Sequence, residues 1–193
     1  VNLLSIRINT VSPTQQKTFF DSVKSTLAQP LFAADLQAGQ TGSYDFGYID
    51  SSAYYGSITY TSVDNSQGFW GFTAGGYSTG SAGTSGSIGS AIMDTGTTLL
   101  YIPSAAVRSY YNSVPGGYYD SNQGGYLGNC NANWPQWNVR IGSTTFSVPG
   151  SYINFQPLND GSGESPIHLM ASENVLTSSG LCFGGIQSSS GLG

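Results

Sequence analysis

Charge is scarce in this chain. Only 8% of its 193 residues are charged, five Lys and Arg against ten Asp and Glu, for a net charge of −5. So few scattered cations cannot track a phosphate backbone or hold an anionic lipid surface, so no nucleic-acid and no membrane partner is expected. No apolar run approaches the roughly 20 residues that a membrane-spanning helix needs. Histidine occurs once, at His168, and cysteine twice, at Cys130 and Cys182. A metal centre requires several such ligands at regular spacing, so neither a metal nor a cofactor is expected. Two cysteines allow one bridge, which would imply an oxidising compartment, or two buried thiols. The opening residues Val1-Asn2-Leu3-Leu4 carry no basic start and no small-residue cleavage pattern. The leader of a secreted form would therefore lie upstream.

What the chain does have is aromatic side chains (13%) and 27 glycines. Abundant aromatics argue for a packed fold, and glycine with Ser and Thr supplies turns between strands. Ser12, Pro13 and Gln15 form a helix start, Phe19, Phe20, Val23 and Leu27 recur at helical spacing, and Pro30 stops the pattern. One amphipathic helix is predicted over 13–28. Strands are predicted over 31–36, 44–49, 56–63 and 67–77, where apolar and aromatic residues are punctuated by Gly, Asn and Asp. Residues 78–90, nearly all Gly, Ser, Thr and Ala, read as a loop or hairpin tip. A second short helix is predicted from Pro103 to about Val114, and short strands from Val139 to Ile153. The fold class is all-β with two short helices.

One acid stands out. Asp94-Thr95-Gly96 lies between the apolar runs Ala91-Ile92-Met93 and Leu99-Leu100-Tyr101-Ile102. Asp and Gly are common in turns, so a β-turn is the plain alternative. An acid between two strands that both look fully buried must, however, be hydrogen-bonded, and the hydroxyls of Thr95 and Thr97 are at hand. A carboxylate fixed in that way suits the activation of water.

Asp94-Thr95-Gly96-Thr97-Thr98-Leu99-Leu100-Tyr101-Ile102-Pro103 resembles the second active-site segment of the pepsin-like aspartic proteases, in their secreted fungal branch. Thr10-Val11-Ser12-Pro13-Thr14-Gln15-Gln16 with Phe19-Phe20-Asp21 is similar to a helix late in that family's first lobe. Phe46-Gly47-Tyr48-Ile49-Asp50 and Tyr55-Gly56-Ser57-Ile58-Thr59-Tyr60 resemble strands that open the second lobe. Cys130 and Cys182-Phe183-Gly184-Gly185-Ile186-Gln187 resemble the surroundings of that lobe's single disulfide. The resemblance covers nearly the whole chain except about 163–180.

The resemblance implies a pepsin-like lobe acting as an aspartic endopeptidase. Two aspartates, one per lobe, share a proton and hold one water, and Asp94 is one of them. It also implies that Thr97 bonds Asp94, that Gly96 and Thr97 line the substrate cleft, and that Cys130 pairs with Cys182. Tyr101 resembles a cleft aromatic, with a core aromatic as the alternative. The implied partners are an extended peptide or protein substrate and an N-terminal lobe carrying the second aspartate, since no other Asp-Thr-Gly occurs here. Residues 1–29 would then be the end of the first lobe and 30–193 the catalytic second lobe, incomplete at both ends. The isolated chain would be a poor catalyst, and the implied localisation is extracellular.

The segment Gly163–Ser179 departs from its surroundings. It holds both glutamates, Glu164 and Glu173, the only histidine, His168, and Met170, one of two methionines. It reads as an insertion, and Gly163-Glu164-Ser165 and Val175-Leu176-Thr177 can be encoded by donor-like and branch-like intron sequences. Two alternatives to the protease reading stand. One is an extracellular β-domain that stacks carbohydrate on Trp70, Trp134 and Trp137. The other is a truncated, inactive product.

Overall fold

The computed structural model describes residues 17–37, 39–158 and 180–190. They fall into two compact units, one up to Phe72 together with Ile92–Thr95, the other made of Thr73–Ala91 and the residues from Gly96 onward. The segment 163–179, with His168, and the helix start at Ser12 to Gln15 lie outside the described residues.

In the first unit, α1 spans Phe19–Val23 and tightens into a 3-10 turn at Lys24–Thr26. Of the predicted helix 13–28, the described part begins at Phe19, where a local cap starts it. Thr18 Oγ1 accepts from the Asp21 N–H at 3.0 Å and donates to Asp21 Oδ2 at 3.0 Å. One orphan N–H of the helix start is thereby satisfied, and the Asp21 carboxylate in turn takes the Thr18 hydroxyl proton. The Lys24 ammonium at 2.8 Å, with the Thr18 hydroxyl, holds the Asp21 carboxyl below its usual range. At the other end Thr26 Oγ1 donates to the Val23 carbonyl at 2.8 Å, a local bond that competes with further helix.

Two short strands follow, β1 (Phe32–Asp35) and β2 (Ser43–Phe46), antiparallel with Phe32 opposite Phe46. The ring of Phe32 meets those of Phe20, Phe46 and Trp70 at centroid distances of 5.1, 6.1 and 5.8 Å. This half-buried aromatic cluster is where the unit's elements pack together.

The predicted strand 56–63 is not a strand. Its alternation is present, yet Ile58 and Tyr60 are exposed and the nearest pairing is a single bridge, Asp64 with Gly71. Alternation marks which side chains share a face, while a strand persists only where another backbone takes its N–H and C=O groups.

The second unit is built from β3 (Gly71–Thr79), β4 (Gly86–Ile92), β5 (Leu100–Ile102), α2 (Ser104–Tyr111), β6 (Tyr118–Asp120), β7 (Gly125–Asn129), β8 (Trp137–Ile141), β9 (Thr144–Val148), α3 (Gly150–Ile153), β10 (Asn154–Pro157), β11 (Leu181–Gly184) and β12 (Ile186–Ser188). The first residues of β3 and the last of β4 fall in the other unit. The strands form sheets ordered β4-β3-β8-β9 and β10-β11-β7-β6, with β5 and β12 as a parallel pair. The architecture is mostly antiparallel β with short helices, as predicted. The loop expected over 78–90 is narrower, because β3 runs to Thr79 and β4 resumes at Gly86. A third helical turn, α3, replaces the strand expected up to Ile153. Pro149 supplies a fixed φ ahead of it, and Ile153 is buried.

The core lies under α2, whose Val107, Tyr110 and Tyr111 are almost fully buried beside Trp134, Trp137, Ile153 and Ile186. Tyr111 Oη donates to the Ile186 carbonyl and Tyr110 Oη to the Pro135 carbonyl, both at 2.8 Å. Gly184 must be glycine, since a Cβ there would collide with Tyr111 Oη. Trp134 and Trp137 are only 4% and 2% exposed, so neither can offer an open ring face to a sugar. The stacking platform expected of them is absent because their rings fill the core.

Burial pushes the Tyr110 and Tyr111 phenols far above their ordinary range. The folded state therefore holds these protons more tightly than the unfolded chain. Their contribution is complete below about pH 10 and is lost as pH rises beyond it. Tyr111→Phe is expected to cost about 1–2 kcal/mol at neutral pH, because the buried Ile186 carbonyl loses its donor, and to blunt the alkaline loss. Urea unfolding of the complete protein at pH 7 and pH 10.5 checks both effects; equal midpoints for parent and variant at neutral pH would contradict the first.

Candidate active-site segment

The Asp94-Thr95-Gly96 segment connects β4 to β5, and the chain passes there from the first unit to the second. Asp94 belongs to the first, and Gly96, Thr97 and Tyr101 belong to the second. Within the first unit the Met93 N–H donates to the Trp70 carbonyl at 3.1 Å, which fixes the backbone one residue before the acid. Asp94 is half-buried, and Thr95, Gly96 and Thr97 are exposed.

The flanking strands are less buried than their apolar sequences predict, with Ile92 and Met93 exposed by 49% and 61%. The reason is position: β4 is the edge strand of its four-stranded sheet. An apolar run shows affinity for a covered face without showing what covers it.

Tyr101 sits in β5 opposite Gln187 of β12. It is 36% exposed, which is not the environment of a core aromatic. Its ring borders a cavity of about 480 Å³ in the second unit, together with Thr98, Leu99, Tyr126, Phe183 and Gln187. Gly96 and Thr97 are not in that wall, so the structure joins Tyr101, but not the other two expected cleft residues, to a concavity.

Gln187 has a role that sequence reading missed. It is 5% exposed, its Nε2 donates to the carbonyls of Tyr126 (3.1 Å) and Gly184 (2.8 Å), and its Oε1 accepts from the Tyr126 N–H (2.8 Å). The amide's polar atoms are thus engaged by backbone, which ties β12 to β7 across the cavity wall. In sequence, a Gln between Ile186 and Ser188 reads as an outward strand position, because nothing local signals backbone groups waiting to pair.

Cys130 and Cys182 form a disulfide with Cα atoms 4.9 Å apart, as the family resemblance implied, and the two-thiol alternative falls. The bond ties the residue after β7 to β11, which already pair with Cys182 opposite Gly128. Among the described residues no helix is long and apolar enough to cross a membrane.

Comparison with known proteins matches residues 3–189 to the family model for eukaryotic aspartyl proteases. The chain is 53% identical over 186 residues to Aspergillopepsin-1 of Aspergillus oryzae, covering 96% of this chain and 43% of that protein. It is 52% identical to Penicillopepsin-1 of Penicillium janthinellum and 46% identical to Endothiapepsin of Cryphonectria parasitica, again over 96% of its own length. It spans 51% and 40% of those two, so about half or less of these relatives.

Proposed function

Because the chain belongs to the eukaryotic aspartyl protease family, we propose that it supplies one catalytic half of a secreted aspartic endopeptidase, with Asp94 as its acid. The observation that carries this reading is Asp94-Thr95-Gly96 itself, its acid half-buried and following a backbone pinned between Met93 and Trp70, inside a family match that spans nearly the whole sequence. In the proposed reaction Asp94 works with a second carboxyl from residues outside this chain. Two carboxyls a few ångströms apart cannot both ionise readily, so one proton is shared between them. The ionised member takes a proton from a water molecule as its oxygen attacks the scissile carbonyl carbon. The protonated member gives its proton to the carbonyl oxygen, forming a gem-diol. Collapse of that intermediate breaks the C–N bond as the amine nitrogen is protonated.

Thr97 is assigned to hold Asp94, and Gly96, Thr97 and Tyr101 to border an extended peptide with apolar side chains beside the cut. Residues 1–29 are assigned to the end of the first lobe and the rest to the second. The disulfide suits an oxidising, extracellular setting. A single carboxyl has no partner to carry the opposite protonation state, so the isolated chain is expected to hydrolyse peptides poorly or not at all.

The test is inhibition of the complete enzyme by a statine-type peptide, whose hydroxyl occupies the place of the attacking water. Sub-micromolar inhibition is expected, as for transition-state mimics generally. A complete protein that ignores the inhibitor and is instead retained on insoluble polysaccharide would establish the carbohydrate-binding alternative.

A further inference from the structure

The proposed hydrolysis makes no use of the segment 163–179, yet both ends of the connection that contains it are placed. β10 and β11 pair antiparallel with Pro157 opposite Cys182, and the ladder continues to Leu158, whose N–H donates to the Leu181 carbonyl at 2.9 Å. Gly180, at φ +64°, accepts from the Cys130 N–H at 2.9 Å, and Cys182 is bonded covalently to Cys130. The mouth of this hairpin is therefore closed by pairing and by a disulfide. Strands in register to that point are commonly linked by about two to five residues. Here 22 residues, 159–180, stand between Leu158 and Leu181.

The surplus has a composition unlike the rest of the chain, with both glutamates and the only histidine inside 163–179. We infer that residues 163–179 are the translation of an unspliced intron and are absent from the functional enzyme. The inference rests on the closed hairpin and the composition of the segment, independently of the protease reading, and the splice-site codons are ones the amino acids permit.

Gly163-Glu164-Ser165 can be written GGT-GAG-T, which contains the donor GTGAGT. Val175-Leu176-Thr177 can contain the branch sequence CTAAC, and Ser179-Gly180, written TCA-GG, contains the acceptor CAG. Excision from the second base of codon 163 through the first base of codon 180 removes 51 nucleotides, the length of 17 codons. The remaining bases rejoin as one glycine codon, so the frame is kept.

The protein consequence is specific. Asn159-Asp160-Gly161-Ser162 would be followed by that glycine and then Leu181, a five-residue loop of turn-forming residues. The restored glycine takes the place of Gly180, whose left-handed backbone a glycine adopts without strain. One in-frame excision that the amino acids permit would leave a loop length and turn chemistry suited to the observed strand register.

Sequencing the mature message across codons 150–190 in the source organism tests this, with intact mass of the secreted protein as the second readout. The expected transcript joins the Ser162 codon to the Leu181 codon through a single glycine codon, and the protein mass falls by that of 17 residues. A mature message that mainly retains the codons for His168 and Met170, or a secreted protein containing those residues, overturns the inference.

Discussion

Asp94→Asn in the complete enzyme is expected to lower kcat by about 10⁴-fold while leaving KM for an apolar-flanked peptide within about threefold of the parent. Asparagine keeps the size and much of the hydrogen bonding of the acid, so the half-buried site should hold its shape. It cannot carry the negative charge, take a proton from water or return one to the substrate. Both proton transfers in the proposed reaction pass through the carboxyl pair, so the loss falls on the chemical step and not on peptide binding. The pH–rate profile is informative in the same experiment. Two coupled carboxyls give a bell-shaped dependence belonging to the pair, and residual activity of the Asn variant should lack it. A variant that still cuts within about tenfold of the parent rate, with the bell intact, would remove Asp94 from the mechanism.

Removing the disulfide is the second large effect. The Cys130→Ser, Cys182→Ser double variant of the complete enzyme is expected to lose about 4 kcal/mol, because the bridge closes a loop of 52 residues in this sequence, and the logarithmic closure term changes little if 163–179 are excised. A further cost comes from the native state. Cys182 is 3% exposed, and a serine hydroxyl there must find a partner or lose its hydration. For the complete enzyme, longer than this chain, the combined loss corresponds to a fall in Tm of several degrees. Thermal unfolding of parent and variant, with and without reductant, measures it. Reductant should lower the parent's midpoint towards the variant's and leave the variant's unchanged. A parent insensitive to complete reduction would show that the pairing of β7 with β11 holds this region without the covalent bond.

Local chemistry proved legible where an element depends on itself. The helix α2 was readable from Pro103 and from Val107, Tyr110 and Tyr111 on one side, because capping and helical period are properties of adjacent residues. The hairpin strands around residues 71–92 were readable for the same reason, apart from the exact width of their tip. Readings failed where the outcome depends on a distant partner. Residues 56–63 alternate correctly yet form no strand among the described residues, and Trp134 and Trp137 look like surface platforms but fill the core. Among the described residues, the start of α1 is set by the Thr18–Asp21 cap, a detail the helical period alone does not reveal.

The family, and through its resemblance the pairing of Cys130 with Cys182, were within reach of the linear sequence, and the proposed roles of Asp94, Gly96, Thr97 and Tyr101 rest on the same motif. Motif chemistry needs particular atoms in a particular order, and order is what a sequence records. Folding alone decided that Ile92 and Met93 lie open on an edge strand, that Gln187 is consumed by the backbone of Tyr126 and Gly184, and that Tyr101 borders a cavity from which Gly96 and Thr97 are absent. Burial and hydrogen-bond satisfaction are relations between residues far apart in the chain, and no run of neighbours encodes them until the chain has closed on itself.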